Sequence, residues 1–358
     1  MGTDEAWVLH VDLDQFVAAV EVLRRPELAG LPVVVGGRGD PTERGVVSTA
    51  SYEARAFGVH SGMPLRVAAR KLPDGVFLPV DGAEYEAVSE RVMATLRSLG
   101  VVVEVLGWDE AFLRARTDDP EALARRAQAA VLAETQLHSS VGIGDNKVRA
   151  KIATEFGKPA GLFRLTAENW FEVMGDRPTI ALWGIGTKVS RRLTALGVTT
   201  VHELAAAPVD ALTAEFGPRM GVWYHELGSG LGPTTVDDSP WIPRGHSRET
   251  TFQQNLTTPD QVREAVLRLA HDVVEDAAED GRSVERVAVK VRYAPFVTKS
   301  TSRKLPAPTR DAQTIVDAVM ALADTIEDRE VRLLGVRAEM TMPQDADPTD
   351  RTPVRGRI

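Results

Sequence analysis

Two short stretches of the chain carry carboxylates beside apolar strand patterns. The first, Trp7 to Asp14, predicts a buried strand that ends on a carboxylate and continues into a helix-compatible segment. A carboxylate at the rim of a core must be neutralised by a metal, a cation or amide donors, because burying it unpaired is costly. We expect at most one of Asp12 and Asp14 to belong to a given metal site. A helix N-cap is the competing interpretation of this stretch alone.

The second stretch favours a metal site over a helix cap. Val101 to Leu113 predicts another apolar strand, with the adjacent carboxylates Asp109 and Glu110 in its middle. A solvated run of charges would not be followed directly by Phe112 and Leu113. Magnesium prefers oxygen ligands and binds through one or two carboxylates together with substrate phosphates. These residues therefore predict a site for phosphoryl or nucleotidyl transfer.

Composition narrows the class of protein. The 358 residues are 43% hydrophobic and include no cysteine, so we expect several domains and neither disulfides nor a thiolate zinc site. Asp4 and Glu5 are not followed by the apolar core of a signal peptide, and no segment approaches a membrane span. We therefore expect a soluble, cytoplasmic protein. The net charge of -9 does not exclude a nucleic-acid partner, since the charges are segregated along the chain.

Between the two carboxylate stretches, the sequence predicts a small, turn-rich region. Leu31 to Val35 and Val46 to Ala50 have strand patterns, and Ser51 to Gly58 predicts a helical turn that a glycine ends. Tyr52 and Arg55 are three residues apart and share a helix face, which suits a triphosphate. An arginine stacked on a tyrosine at the surface is the commoner meaning of such a pair.

Further along, Asp81 to Leu99 and Pro120 to Leu137 predict helices, and Ser140 to Gly144 predicts a strand that enters a loop. The segment Asn146 to Pro159 then carries four basic residues against the single acid Glu155. Basic residues on a helix are usually a solvated face. Here they follow the carboxylate strands, so they could also hold phosphate oxygens.

The C-terminal third predicts a separate α+β domain after a turn-rich linker, Gly228 to Pro243. Helix, strand, strand, helix and strand are predicted in that order at Pro259 to Asp280, Glu285 to Tyr293, Thr298 to Leu305, Asp311 to Glu327 and Val331 to Met342. Eight lysines or arginines stand between Arg282 and Arg310 against one acid. The second strand has almost no apolar residue, which indicates a face against water or phosphates. A solvated edge strand is the alternative.

Taken together, these segments resemble the Y-family translesion DNA polymerases, in particular the DNA polymerase IV (DinB) branch. The resemblance extends to about Pro343 and rests on the order and spacing of four motifs: Val11-Asp-Leu-Asp-Gln-Phe16, Ser51-Tyr-Glu-Ala-Arg55, Trp108-Asp-Glu110, and Asn146-Lys147 to Lys158-Pro159. It implies an α+β multidomain, right-hand polymerase. The expected parts are a palm at 1–15 and 80–170, fingers at 16–79, a helical helix-hairpin-helix thumb at 171–235, a linker at 236–243, an α+β little finger at 244–344 and a disordered tail at 345–358.

The resemblance also implies roles for individual residues. Asp12, Asp109 and Glu110 match the catalytic carboxylates that hold two Mg²⁺ ions, with Mn²⁺ as an alternative, and Leu13 would add its backbone carbonyl. The incoming nucleotide would be held by Leu13, Phe16, Thr49, Tyr52, Arg55 and Lys158. DNA would be bound by Gly184 and Gly186 of the helix-hairpin-helix and by Lys299, Arg303 and Lys304 of the polar strand.

Two positions depart from the family pattern. Gly107 stands where the family usually has serine, which would loosen the carboxylate loop and leave its ligands intact. Val17 stands at the sugar gate, where the family usually places tyrosine or phenylalanine, a ring that collides with a ribose 2′-hydroxyl. Its short side chain leaves that space open unless a neighbour fills it. We expect weak discrimination against ribonucleotides, so that both dNTP and rNTP are substrates.

The expected function is template-directed DNA synthesis in lesion bypass and DNA repair, by a monomer that acts on primer-template DNA. A catalytically inactive, DNA-bound scaffold is one alternative, although such a relative would normally have lost palm carboxylates. A palm-type nucleotidyl cyclase is another, but it would not need the helix-hairpin-helix or the basic strand domain. The tail from Asp345 to Ile358 contains no Gln-Leu-aliphatic-Leu-Phe-like peptide. We therefore expect weak or indirect binding to a sliding clamp.

Overall fold

The computed structural model describes residues 6–343, and the predictions for the N-terminal residues and for the tail lie outside that range. The strands within it are β1 (Ala6–Leu13), β2 (Val33–Val35), β3 (Thr49–Ala50), β4 (Val76–Leu78), β5 (Val102–Val105), β6 (Glu110–Arg116), β7 (Ser139–Gly144), β8 (Leu162–Leu165), β9 (Gly245–Leu256), β10 (Val284–Tyr293), β11 (Val297–Thr309) and β12 (Val331–Met340).

The helices of the same range are α1 (Phe16–Arg24), α2 (Tyr52–Ala56), α3 (Leu65–Lys71), α4 (Gly82–Arg97), α5 (Pro120–Thr135), α6 (Lys147–Gly157), α7 (Trp170–Met174), α8 (Thr187–Ala195), α9 (Val201–Ala206), α10 (Val209–Phe216), α11 (Pro218–Gly228), α12 (Pro259–Asp280) and α13 (Ala312–Ala323). None of these helices combines the length and the apolar character that a membrane crossing requires.

The palm is a five-stranded sheet in the order β5-β6-β1-β7-β8, and β1 pairs antiparallel with both of its neighbours. Alternate side chains of β1 point to opposite faces. Leu9, Val11 and Leu13 pack in a core with α4 and α5. His10 and Asp12 point to the other face, where α6 lies. The strand thus separates a hydrophobic face from a face that carries polar groups.

The carboxylate pair lies in a β-hairpin, so the prediction of one strand from Val101 to Leu113 was wrong. β5 and β6 pair antiparallel, and the chain turns between Val105 and Glu110. An apolar run does not reveal where it turns back when a single glycine is the only turn signal. The hairpin leaves Asp109 in the turn, and it places Glu110 directly opposite Asp12 on β1.

The fingers contain a three-stranded sheet in the order β3-β2-β4, with α2 and α3. The strand predicted at Val46 to Ala50 is shorter in the structure, since only β3 is regular and Val46 forms an isolated bridge with Pro64. Phe16 and Val17 of α1 are buried in the same core as the palm strands. The expected boundary between residues 15 and 16 therefore falls inside a packed core.

The linker, residues 236–243, is hydrogen-bonded to the palm at one end and to the little finger at the other. Val236 is buried against Phe112, and the N–H of Asp237 donates to Glu104 Oε2 at 2.8 Å. Glu104 is itself in a buried ion pair with Lys147 of α6. At the other end of the linker, Arg282 Nη2 donates to the carbonyl of Pro243 at 2.6 Å. The chain between the thumb and the little finger is therefore fastened to the palm and to the little finger.

The little finger is a four-stranded sheet in the order β11-β10-β12-β9, with α12 and α13 packed on one face. α12 has the predicted bounds, because Thr258 and Gln261 form a capping box and Gly281, at φ 78°, ends the helix. The prediction that this domain begins with a helix was wrong, since β9 precedes α12. β9 is largely exposed and polar and lies at the sheet edge, so it lacks the alternating apolar pattern of a strand.

The little finger also touches the fingers through Arg44. Arg44 Nη1 donates to the carbonyl of Phe252 at 2.9 Å and to Asn255 Oδ1 at 2.7 Å. Its backbone exchanges two hydrogen bonds with the side chain of Gln253. One residue of a fingers loop therefore holds the edge strand β9.

Candidate active site

A cavity of about 420 Å³ lies between the palm and the fingers. It is lined by Asp12, Leu13, Phe16, Thr49, Tyr52, Arg55, Asp109 and Lys158, all of which the sequence had assigned to the site. Val46 and Ser48 also line it and had not been assigned. A larger cavity of about 610 Å³ lies at the outer palm edge between Leu99 and Arg126 and contains none of these residues. These eight predicted site residues thus converge on one opening, whereas Glu110 does not line it.

Asp12 and Glu110 form a tight cluster with His10 beside this cavity. Ligand atoms of His10, Asp12 and Glu110 lie within 4.8 Å of one another. Burial, together with the negative charges of Asp12 and Glu110, raises the pKa of Asp109 to about 6. Oxygen donors that repel one another in this way are stabilised by a hard divalent cation. The residues present therefore fit such an ion.

Two lysines place positive charge on the cluster. Lys151 contacts Glu110, and Lys158 Nζ lies 3.0 Å from Asp12 Oδ1 and 2.7 Å from Glu155 Oε1. Burial opposes the charged form of Glu110, but the hydrogen bond from His10 and the charge of Lys151 lower its pKa to about 2. Burial likewise works against the ammonium of Lys158, yet Asp12 and Glu155 raise its pKa above the ordinary value.

His10 and Lys151 are members of the site that the sequence reasoning missed. His10 is fully buried, with Nδ1 2.8 Å from Thr154 Oγ1 and Nε2 3.2 Å from Glu110 Oε2. Burial and the charge of Lys151 lower the pKa of His10, so the ring is neutral at neutral pH. The available signal was its position two residues before Asp12, which places both side chains on one face of β1.

Asp14 serves a different purpose from Asp12. It accepts hydrogen bonds from the hydroxyl of Tyr52 at 2.9 Å, from Ser140 Oγ at 2.8 Å and from the backbone N–H of Ala160 at 2.7 Å. These donors occupy both of its oxygens. The expectation that at most one of the two carboxylates belongs to the metal cluster agrees with this placement.

The aromatic and cationic side of the cavity is built on β3 and α2. Ser51 caps α2 by accepting from the N–H of Ala54. The guanidinium of Arg55 lies 5.3 Å from the ring centroid of Tyr52, and its Nε donates to the carbonyl of Ala50 at 2.9 Å. Burial and the hydrogen bond to Asp14 raise the pKa of Tyr52, so its phenol stays neutral. The predicted shared face of Tyr52 and Arg55 is confirmed.

The two positions that depart from the family differ in their surroundings. Phe16 is 3% exposed and Val17 5%, and both pack in the palm core, but of the two only Phe16 lines the cavity. A Cβ atom at Gly107 would lie 3.5 Å from Asp109 Oδ1, an ordinary contact. A serine would therefore fit at Gly107 beside Asp109.

The thumb glycines occupy the start of α8. Gly184 has a φ of 91°, and a Cβ atom there would lie 2.7 Å from the ring of Trp223, so both the backbone and the space require glycine. Gly186 is the N-cap of α8 and caps it with no side chain. An uncapped helix start presents backbone N–H groups that suit a phosphate.

The three basic residues predicted on β11 do not share one face. Residues directly opposite each other in an antiparallel pair have side chains on the same side. Lys304 lies opposite Arg286, on the open face of the sheet. Lys299 and Arg303 lie opposite the buried Val291 and Val287, and Lys299 contacts Glu327 after α13. These two side chains are therefore directed to the helix-covered side.

Models of known protein families match three parts of the chain. The impB/mucB/samB family matches residues 11–155, and its C-terminal domain matches residues 243–350. The thumb domain of DNA polymerase-iota matches residues 181–231. Together these matches follow the palm and fingers, the thumb and the little finger.

Known proteins match over almost the whole length. DNA polymerase IV 2 of Mycobacterium bovis is 51% identical over 339 residues, which cover 93% of this chain and 98% of that protein. DNA polymerase IV of Methanoculleus marisnigri is 40% identical over 348 residues, which cover 95% of this chain and 96% of that protein. Among solved structures, the Y-family polymerase chimera Dbh-Dpo4(243-245)-Dbh gives a TM-score of 0.82 at 25% identity, covering 93% of this chain and 98% of that one. DinB of Sulfolobus solfataricus gives 0.63 at 26% identity with the same coverage. The chain belongs to the Y-family DNA polymerases, with DNA polymerase IV proteins among its relatives.

Proposed function

We propose that the protein adds nucleotides to the 3′ end of a DNA primer under the direction of a template, including templates with damaged bases. The observation that carries this proposal is the single cavity in which Asp12 and Asp109 stand beside Arg55 and Lys158. Carboxylates bind a hard divalent cation, and guanidinium and ammonium groups bind phosphate oxygens. A nucleoside triphosphate with its metal ion fits both halves of the cavity.

Asp12, Asp109 and Glu110 would hold the metal ions, which we propose to be two Mg²⁺ per site, with Mn²⁺ able to substitute. The backbone carbonyl of Leu13, which lines the same cavity, would add a neutral oxygen. When bound, such ions activate the primer 3′-oxygen and neutralise the charge on the triphosphate and the leaving pyrophosphate.

The remaining residues would orient the nucleotide. Lys158 is ion-paired with Asp12 and is 21% exposed, so its ammonium can transfer to a phosphate oxygen that enters the cavity. Tyr52 is fixed by Asp14 and gives Arg55 a flat surface to lie on. Thr49, on β3, adds a hydroxyl at the same wall. Held in this way, the α-phosphate would face the primer oxygen in line.

Val17 supports the use of ribonucleotides as well as deoxyribonucleotides. Discrimination by steric clash needs a ring at this position, and the side chain here is short and buried in the palm core. Phe16 is the neighbour that could replace the missing bulk, because it lines the cavity. We propose that the space beside the sugar stays open.

Primer-template DNA is the proposed partner, bound through the start of α8 and the basic open face of the little finger. We further propose that the protein acts as a monomer in the cytoplasm and that any association with a sliding clamp is weak or indirect. The segment on which the clamp proposal was based, 345–358, lies outside the described residues.

Extension of a labelled primer annealed to a longer template, with Mg²⁺ and dNTP, tests the proposed function. We expect the parent protein to extend the primer, and we expect Asp109→Ala to lose about a thousandfold in rate, or about 4 kcal/mol of barrier. Its affinity for the same duplex should stay within about twofold, because a carboxylate makes no phosphate contact. Glu86→Ala removes an equivalent charge from an exposed position on α4 and serves as the control.

The outcomes separate the alternatives. Extension by Asp109→Ala at the parent rate would contradict the metal assignment. A parent protein that binds the duplex and extends nothing would be a scaffold, and a product that forms without template would indicate a cyclase.

A further inference from the structure

A buried series of hydrogen-bonding groups stands behind Glu110, on the palm face that α6 covers. His10 Nδ1 lies 2.8 Å from Thr154 Oγ1, and His10 Nε2 lies 3.2 Å from Glu110 Oε2. The ammonium of Lys151 contacts the same carboxylate oxygen and lies 3.2 Å from His10 Nε2. Neither metal binding nor nucleotide binding, as proposed, uses His10, Lys151 or Thr154 directly.

This arrangement restricts Glu110 to one orientation. The contacts from His10 and Lys151 both end on Oε2, so Oε1 is the oxygen that remains for a divalent cation. His10 cannot follow a movement of Glu110, because it is fully buried and packs edge-on against Phe112 with ring centroids 5.0 Å apart. A glutamate side chain otherwise samples several staggered rotamers. Catalytic groups lose rate steeply when they are displaced by about 1 Å.

Lys151 also contributes charge to the carboxylate cluster. Its side chain is 17% exposed, and Nζ lies 5.9 Å from the ring centroid of Trp183, which precedes the thumb glycines. An ammonium held against Glu110 neutralises part of the charge that attracts a divalent cation, and it repels the cation directly. A nucleotide brings phosphate oxygens as additional ligands, which offset this repulsion.

We propose that Lys151 is a positioning residue with two linked effects. Together with His10 and Thr154 it fixes the orientation of Glu110, and its charge keeps the carboxylate cluster from binding a divalent cation tightly before the nucleotide arrives. The inference deepens the proposed function and rests on it, because Glu110 matters as a catalytic ligand only in a polymerase.

Titration of the full-length protein with Mn²⁺ alone, followed by the EPR signal of the free ion, measures the charge effect without DNA or turnover. We expect Lys151→Met to bind Mn²⁺ about tenfold more tightly than the parent. Thr154→Val keeps every charge and should bind as the parent does. Arg125→Met removes one positive charge from exposed α5, on the opposite side of the sheet, and should also leave the affinity unchanged.

Single-nucleotide insertion at saturating Mn²⁺ measures the positioning effect. We expect kcat to fall about fiftyfold in Lys151→Met and about fivefold in Thr154→Val, with the KM for dNTP within about twofold of the parent. A purely structural role would reduce the fraction of active protein and would not tighten Mn²⁺ binding.

Each of the two measurements can contradict one of the two proposed effects without contradicting the other. Mn²⁺ affinity in Lys151→Met no higher than in Arg125→Met would overturn the charge effect. Parent-level kcat in Thr154→Val would overturn the positioning effect, and this variant carries that test if Lys151→Met does not fold. If the parent extended no primer, the proposed function would fail, while the Mn²⁺ titration would still decide the charge effect.

Discussion

At the scale of single residues, the adjacent positions Phe16 and Val17 on α1 differ in their contact with the cavity between the palm and the fingers. Both are buried in the palm core, and Phe16 also lines the cavity. In our proposal, Val17 occupies the sugar gate with a side chain too short to meet a 2′-hydroxyl. In this proposal, the choice between a ribonucleotide and a deoxyribonucleotide depends on the side chain at position 17.

Val17→Tyr should restore selection against ribonucleotides. We expect the parent to insert a ribonucleotide and its deoxy counterpart opposite one template base with kcat/KM values within about tenfold of each other. The tyrosine ring should lower ribonucleotide insertion by about a hundredfold or more, because a clash in a packed site costs several kcal/mol. Steady-state single insertion with both nucleotides checks this.

Val17→Leu is the matched control, since it adds bulk without a ring and should discriminate weakly. A strong deoxy preference in the unmodified protein would show that another side chain closes the space, and Phe16→Ala would then identify whether Phe16 is responsible.

The residues with distinctive chemistry were predictable from sequence, and the residues that support them were not. Asp12, Asp109, Arg55 and Lys158 belong to recognisable motifs, and they line one cavity. His10 looked like one more residue of an apolar strand, because its partner Thr154 is 144 positions away. A contact of that kind depends on how α6 packs on the sheet, which local pattern does not encode.

At the scale of elements, the alternation of side chains along β11 places its basic residues on opposite faces of the sheet. Lys304 lies on the open face opposite Arg286, whereas Lys299 is directed to the helix-covered side and contacts Glu327. We propose that the duplex lies against the open face. Lys304 and Lys299 therefore suit a comparison, because they lie on the same strand and their side chains point to opposite faces of the sheet.

Lys304→Ala should lower the salt slope of duplex binding by about one unit, as expected for one lost phosphate contact. Lys299→Ala should change the slope by clearly less, because its charge faces Glu327. Duplex affinity measured by fluorescence anisotropy over a range of salt concentrations checks both. Equal slopes for the two variants would place the DNA surface elsewhere.

The bounds of α12 could be predicted because the sequence marks both ends of this helix. α12 carries a capping box at Thr258 and a glycine stop at Gly281, so its bounds were correct. The hairpin around Gly107 and the polar edge strand β9 were missed for different reasons. The hairpin was missed because Gly107 is the only glycine at its turn, while β9 is too exposed to show an alternating pattern.

At the scale of the whole molecule, Arg44 joins the fingers directly to the little finger. Its side chain and backbone both bond to β9. The positive charges of Arg44, Arg292 and Arg66 add to burial in lowering the pKa of Arg332. Arg44 thus holds together a seam at which four guanidinium groups lie near one another.

Arg44→Ala should open this seam in the absence of DNA. Because the chain contains no cysteine, dyes can be attached after His60→Cys on the fingers and Gln313→Cys on α13, and the distance between them can be followed by single-molecule FRET. We expect about a tenfold shift toward separated domains, the effect of about 1.5 kcal/mol in charge-assisted hydrogen bonds.

Arg38→Ala is the control, since Arg38 lies in the same loop and pairs with Glu43 of the fingers. A distance distribution in Arg44→Ala that equals the control would mean that other contacts hold the seam.

Because the linker is hydrogen-bonded at both ends, a short tether joins the little finger to the rest of the protein. Asp237 is hydrogen-bonded to the palm and Pro243 to the little finger, so five residues, 238–242, separate these two attachments. A span of that length reaches about 20 Å when fully extended. A tether this short keeps the little finger at an effective concentration of about a millimolar beside any duplex the thumb holds. In our proposal that the thumb and the little finger both bind the duplex, rebinding of a dissociated little finger is therefore intramolecular, and the enzyme stays on its primer where a less closely tethered domain would be lost.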